Sequence, residues 1–215
     1  MAYLPVIFLK LLNINTNNLT KDKIILYTFI CDIIYMLIIF IIYHKSLFKD
    51  FKDLKNNFFK IFELSFKYYL VGLFLMIISN LFINLIFTSA TANNEEAIRE
   101  YISLYPLYML FSVSIHAPFT EEILFRKAIH DCFTPYKENI FNKYLYIILS
   151  GLIFAGLHVI GLSDKLIDCI YIIPYLSLGI AFAALYQKSN NIFSTIMMHS
   201  LHNTVTILLY LLVGV

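Results

Sequence analysis

Runs of about 20 predominantly apolar residues recur along this chain, and nothing limits its possible folds more than they do. Each is long enough for a helix to cross the roughly 30 Å of hydrocarbon in a bilayer. They fall at 22–44, 61–88, 101–131, 144–163, 166–187 and 190–213, the third being longer than one crossing requires. Backbone polar groups in hydrocarbon must be paired within the protein, which leaves helices or closed barrels. A barrel would show short alternating segments, and these runs do not alternate. The expectation is therefore an all-α fold, a polytopic transmembrane helix bundle of about six main spans (between six and eight) with a polar cavity inside the membrane.

Composition agrees. With 60% apolar and 14% charged residues in 215, too little polar surface exists to wrap a water-soluble globule of this size. The net charge of +2 is small and the lysines are bunched, which argues against a nucleic-acid partner. The bunching instead speaks to topology. Lys45, Lys49, Lys52, Lys55 and Lys60 crowd the stretch 45–60 among Leu47, Phe48, Phe51, Leu54, Phe58 and Phe59, the pattern of a short amphipathic helix on an anionic membrane face. Basic loops stay in the cytoplasm, so this segment, the 132–143 loop with Lys137 and Lys143, and the turn near Lys188 are assigned there. The acidic loop from Ser89 to Glu100 and both chain ends then lie outside, although Lys10, Lys21 and Lys23 pull the other way.

Two parts of one integral-membrane domain follow: N-terminal spans with their cytoplasmic linker (1–100) and a C-terminal bundle (101–215). Met1 to Leu12 is apolar without a leading basic cluster, unlike a cleavable signal peptide. Abundant Ile, Lys, Asn, Phe and Tyr without Trp suggest an AT-rich bacterial genome. Cys31, Cys132 and Cys169 are too scattered for a zinc cluster or a disulfide framework, and read as buried free thiols.

Ionisable groups within a span cost a few kcal/mol or more, so each is a candidate for function. The first cluster is Glu121, Glu122 and Arg126, just after Pro118. Glu122 and Arg126 stand four apart on one helical face, acid before base, the favourable order for an ion pair. Glu121 lies about 100° around the helix, free for proton transfer. Pro118 could kink the helix and admit water. A solvated charge cluster at a helix end is the competing reading. The second is His158, four after Phe154, which reads either as a site residue or as a core histidine making one interhelical bond. Gly151 and Gly156 nearby permit close helix approach. The third is His199 and Asn203 on one face, with His202 about 60° away; helix–helix hydrogen bonding would need only one of them. Together they form an inventory for activating water and stabilising an oxyanion: a base, imidazoles and an amide donor.

The order Glu121-Glu122-xxx-Arg126, Phe154-xxx-His158, His199-xxx-Asn203, with the Pro before the double Glu, resembles the CPBP family of intramembrane proteases, also called Abi or CAAX-protease-like and related to type II CAAX prenyl endopeptidases. The resemblance covers about 101–215. It implies that Glu121 is the catalytic carboxylate and His158 its partner in activating water, that Glu122 and Arg126 support the site, and that His199 and Asn203 stabilise the oxyanion. It also implies an endopeptidase acting on a membrane-associated peptide or protein in the lipid bilayer, in a multi-pass protein of the cell membrane. The family is often labelled metalloprotease, and Glu121, His158 and His199 could hold zinc. The chain lacks an HExxH helix, and we favour Glu/His water activation with no tightly held metal. Two other functions remain open: a bacteriocin self-immunity protein, catalytic or not, and a small transporter, against which stands the lack of an inverted repeat.

Other polar residues have plainer readings. His116 fits a core histidine, His44 and His130 an interfacial position at span ends, and Asp32 and Asp168 side chains reaching the interface from the starts of their spans. Glu63 and Lys67 suit a surface ion pair, and Pro174 with Gly179 a bend in the fifth span.

Overall fold

The computed structural model describes residues 19–87, 93–133, 139–160 and 166–213. The expectations for Met1 to Leu12, for Lys137 and for the Asp168 side chain lie outside the described residues. The chain is a helical bundle. Helix α1 (Lys21–Asn56) is followed by α2 (Phe58–Ile86) and the amphipathic α3 (Asn93–Leu104). Next comes a segmented rod, residues 106–133, made of α4 (Pro106–Phe111), a π-helical turn (Ser112–His116), α5 (Ala117–Glu122), a second π turn (Ile123–Ala128) and α6 (Ile129–Phe133). Helix α7 (Ile140–Val159), a 3-10 turn (Leu166–Tyr171), α8 (Ile172–Ser189) and α9 (Ile192–Val213) complete it.

Among the described residues five stretches are long and apolar enough to cross a membrane: Lys21–Asn56, Phe58–Ile86, Ile140–Val159, Cys169–Ser189 and Ile192–Val213. The expected span at 101–131 is the rod instead, which starts one residue after the break at Tyr105 and carries the Glu and Arg residues. Much of the expected loop from Ser89 to Glu100 is likewise helical, as α3. Leu26, Ile41, Ile42, Phe74, Leu85 and Leu212 are among the many large apolar side chains turned outward, as in a chain solvated by lipid rather than water.

The stretch 45–56 is not a separate surface helix; it is the last part of α1. At about 1.5 Å per residue this helix is far longer than the hydrocarbon is thick, so its end projects beyond it. The charges there are sorted. Lys45, Lys49, Lys52 and Lys55 are exposed, whereas Asp50 is buried against the start of α9. The Asp50 carboxylate accepts from the Ile192 N–H (3.2 Å), and the Asn191 amide donates to the Asp50 carbonyl (2.8 Å) and to Asp53 (3.0 Å). One orphan donor at the start of α9, the Ile192 N–H, is thereby satisfied by another helix, while the Phe193 N–H is met by the Asn191 side chain.

Helix α8 is the most enclosed span. Its Gly179 abuts Gly151 of α7 so closely that a Cβ on Gly179 would lie 3.0 Å from the Gly151 carbonyl oxygen, and Gly72 of α2 meets Ala181 in the same way. Gly179 thus serves close approach, and Pro174 sits in the first turn of α8, where it forfeits no intrahelical bond. A cluster of Ile39, Leu47, Ile123, Tyr146, Ala183, Tyr186 and Ile192 ties α1, the rod, α7, α8 and α9 together. His130 is buried there, edge-on to Tyr146 and Tyr186, and is not interfacial. The cysteines are free as expected but not buried: Cys132 and Cys169 are exposed and Cys31 is half-buried.

Candidate active site

Pro118 cannot donate a backbone bond to residue 114, and the chain widens just before it: the Ala117 N–H bonds the Ser112 carbonyl, five residues back. Such π turns cluster at functional sites. A second follows Glu122, so the two carboxylates ride on one short α-helical segment between two widened turns. Thr120 donates its hydroxyl to the His116 carbonyl (2.8 Å), tying the first turn to this segment.

Glu122 and Arg126 are both fully buried, with Arg126 Nε 3.1 Å from Glu122 Oε2. The guanidinium also lies over the Phe154 ring, 4.5 Å from its centroid, with Phe182 at 5.9 Å. A charge so deep needs such partners. The other oxygen of Glu122 faces His199 Nδ1 at 2.8 Å. A carboxylate can only accept, so Nδ1 carries the hydrogen, and Nε2 of His199 turns toward Glu121, 4.0 Å from Oε2.

His158 repeats the pattern from α7. Its Nδ1 is 2.8 Å from the Phe154 carbonyl, one helical turn back, which also places the hydrogen on Nδ1. Its Nε2 lies 3.8 Å from the same Glu121 Oε2. That oxygen is buried with no hydrogen-bond partner among the described residues. Glu121, His158 and His199, from three different helices, therefore converge on one point. The gaps are too wide for direct bonds and suit a water between them, which can donate to two of these acceptors at once and meets the third only through a proton on its imidazole.

Phe154 is the hub of this assembly. It packs against His158 (centroids 4.4 Å), edge-on to His199 (5.8 Å) and under Arg126. Tyr175 of α8 stacks on His158 at 4.9 Å and Phe182 flanks His199 at 5.7 Å. Neither Tyr175 nor Phe182 is signalled by a polar motif; each is one aromatic among many in the sequence.

Asn203 stands one turn beyond His199, and its amide donates to the Val113 carbonyl in the first π turn (2.8 Å). His202 is placed apart from the convergence, with Nδ1 3.4 Å from the Tyr69 hydroxyl. His116 and Asp32 pair in the interior: Nδ1 of His116 is 3.8 Å from Asp32. Asp32 is buried and does not reach the interface. His44 is exposed and bonds the Ile41 carbonyl, and Lys67 with Glu63 forms an exposed ion pair at 2.5 Å.

The convergent donors are chemically those of a two-His-one-carboxylate zinc site, with each Nδ1 held as in metal-ligating histidines. Their spacing fits less well. Ligands about 2.1 Å from a tetrahedral zinc stand roughly 3.4 Å apart, against 3.8 and 4.0 Å here. Among the described residues no group of three or more His, Cys, Asp and Glu side chains is set to hold a metal.

The helix bundle thus brings together a carboxylate, two oriented imidazoles and a buried ion pair, groups that can activate a water. Residues 103–205 match the family model described as Type II CAAX prenyl endopeptidase Rce1-like. A Bacillus subtilis (strain 168) protein named "Putative membrane peptidase YdiL" is 32% identical over 120 residues, 56% of this chain and 44% of that protein. The chain thus spans less than half the length of that curated relative. No solved structure matches significantly. Over residues 103–205, which carry the three motifs on the helices described above, the chain is thus similar to a family described as type II CAAX prenyl endopeptidases.

Proposed function

We propose that the protein is an intramembrane endopeptidase that hydrolyses a peptide bond in a membrane-associated peptide or protein by water held among Glu121, His158 and His199. The observation that carries this reading is the unpartnered Glu121 Oε2, 3.8 Å from His158 Nε2 and 4.0 Å from His199 Nε2. Glu121 takes a proton from the water while His158 orients it, and the hydroxide adds to the carbonyl carbon. His199, when protonated, offers its Nε2–H to the oxyanion, with Glu122 on Nδ1 as counter-ion. The intermediate collapses by breaking the C–N bond, and Glu121 returns the proton to the leaving nitrogen.

Asn203 has a revised part in this scheme. Its amide already donates to the Val113 carbonyl, so it acts first by fixing α9 to the rod, and only its second amide hydrogen is left for an oxyanion. Glu122 and Arg126 hold His199 and a neutral core. No step runs through a metal, in keeping with the wide spacing of the donors. The Lys-rich end of α1 suits a cytoplasmic position, and this reading takes the protein to be a multi-pass protein of the cell membrane whose site opens to the cytoplasmic side.

The test uses full-length protein in liposomes with a quenched-fluorescence peptide carrying one apolar anchoring segment. Cleavage in ¹⁸O-water is expected to leave one heavy oxygen on the new C-terminal carboxylate. Ion or solute uptake without cleavage of any such peptide would overturn the reading in favour of a transporter.

A further inference from the structure

The first helix lies outside the family match, which begins at residue 103, yet it places a carboxylate deep in the bundle. Asp32 belongs to the apolar run of α1, where an ionisable group persists only if partners compensate it. Those partners are both on the rod. The Tyr108 hydroxyl donates to Asp32 Oδ2 at 3.0 Å, and His116 Nδ1 stands 3.8 Å from Oδ1. Tyr35 of α1 closes over His116 edge-on, at 6.2 Å between centroids.

The two partners straddle the first π turn. Tyr108 precedes Ser112–His116 and His116 ends it. Inside the turn, the Val113 carbonyl takes the Asn203 amide of α9. Beyond it, Thr120 bonds the His116 carbonyl and leads to Glu121. A π turn holds one residue more than an α turn. Its relaxation to α geometry would rotate everything after it by about 100°, the angle between successive residues, and carry Glu121 away from His158 and His199.

We propose that Asp32 is a positioning residue of the site: by holding the Tyr108 hydroxyl just before the π turn and lying against His116 at its end, it fixes the register of the rod and hence the direction of Glu121. This rests on the reading of Glu121 as the water-activating carboxylate, but the grip is measurable without any substrate.

The experiment compares wild type, Asp32→Ala, Asp32→Asn and Tyr108→Phe as full-length protein in liposomes. Hydrogen exchange at residues 112–122 is expected to accelerate at least tenfold in Asp32→Ala, with α7 and α8 unchanged, and less in Asp32→Asn, which keeps an acceptor for Tyr108. With the anchored peptide described above, kcat should fall 10- to 100-fold in Asp32→Ala at a KM within threefold of wild type, with partial rescue in Asp32→Asn. Wild-type exchange at 112–122 in both Asp32→Ala and Tyr108→Phe would overturn the proposal, whatever the activity. If Asp32→Ala does not fold, Asp32→Asn and Tyr108→Phe carry the same comparison, and wild-type exchange and kcat in both would overturn it. If Glu121→Ala retains activity while exchange responds as expected, the grip stands and the catalytic reading falls.

Discussion

His199 Nδ1 lies 2.8 Å from Glu122 Oε1, and the same carboxylate holds Arg126 at 3.1 Å with its other oxygen. One side chain thus orients an imidazole and neutralises a fully buried guanidinium. Removing it leaves an uncompensated charge. Glu122→Ala should destabilise the protein by about 3–5 kcal/mol, and Glu122→Ala combined with Arg126→Met should recover a substantial part. Thermal unfolding in detergent checks this; a double variant no more stable than Glu122→Ala would contradict it.

The α7–α8 crossing depends on the lack of side chains at Gly151 and Gly179. A Cβ at Gly179 would meet backbone, the Gly151 oxygen at 3.0 Å and Cα at 3.2 Å, and backbone cannot swing aside. Gly179→Ala is expected to cost about 1–3 kcal/mol. Gly156→Ala, whose nearest neighbour would be Ile160 Cδ1 at 3.5 Å, should be close to neutral. Melting temperatures of the two variants give the comparison, and equal shifts would be against it.

Asp50 caps α9 from a distance of more than a hundred residues in sequence, through the Ile192 N–H. Asp50→Ala should lose about 0.5–2 kcal/mol, as for other helix caps, and Asp50→Asn less. Hydrogen exchange at the first turn of α9 reports it directly. Protection there that is indifferent to Asp50→Ala would remove the cap from the account.

Much of the architecture could be read in advance because hydrophobic length is a direct signature of a membrane span. The limits were local. The rod around Glu121 breaks the rule that one apolar run makes one helix, since Pro118 and its neighbours widen the backbone in a way that no residue pattern announces. Glu122 with Arg126 was legible because i, i+4 spacing fixes a face within one helix. The approach of His158 and His199 to Glu121 depends on how three helices pack, which spacing within each cannot supply. Asp32 was misjudged for a related reason: position along a span gives depth but not which neighbour waits there, and Tyr108 is 76 residues away.

The wide spacing of the donors predicts that hydrolysis does not depend on a tightly bound metal. Activity in liposomes should survive dialysis against a strong chelator, and purified active protein should carry well under one zinc per chain. Loss of activity restored by zinc alone would require the three side chains to close by several tenths of an ångström around the ion.

The most direct test of the central claim is Glu121→Gln, which keeps the shape of the side chain but removes its ability to accept a proton as a carboxylate. Cleavage of the anchored peptide is measured beside the thermal unfolding of the same preparation. The account predicts kcat lower by about 10²–10⁴-fold, the usual worth of a general base, with the melting temperature near that of wild type. Wild-type cleavage by folded Glu121→Gln protein would contradict it.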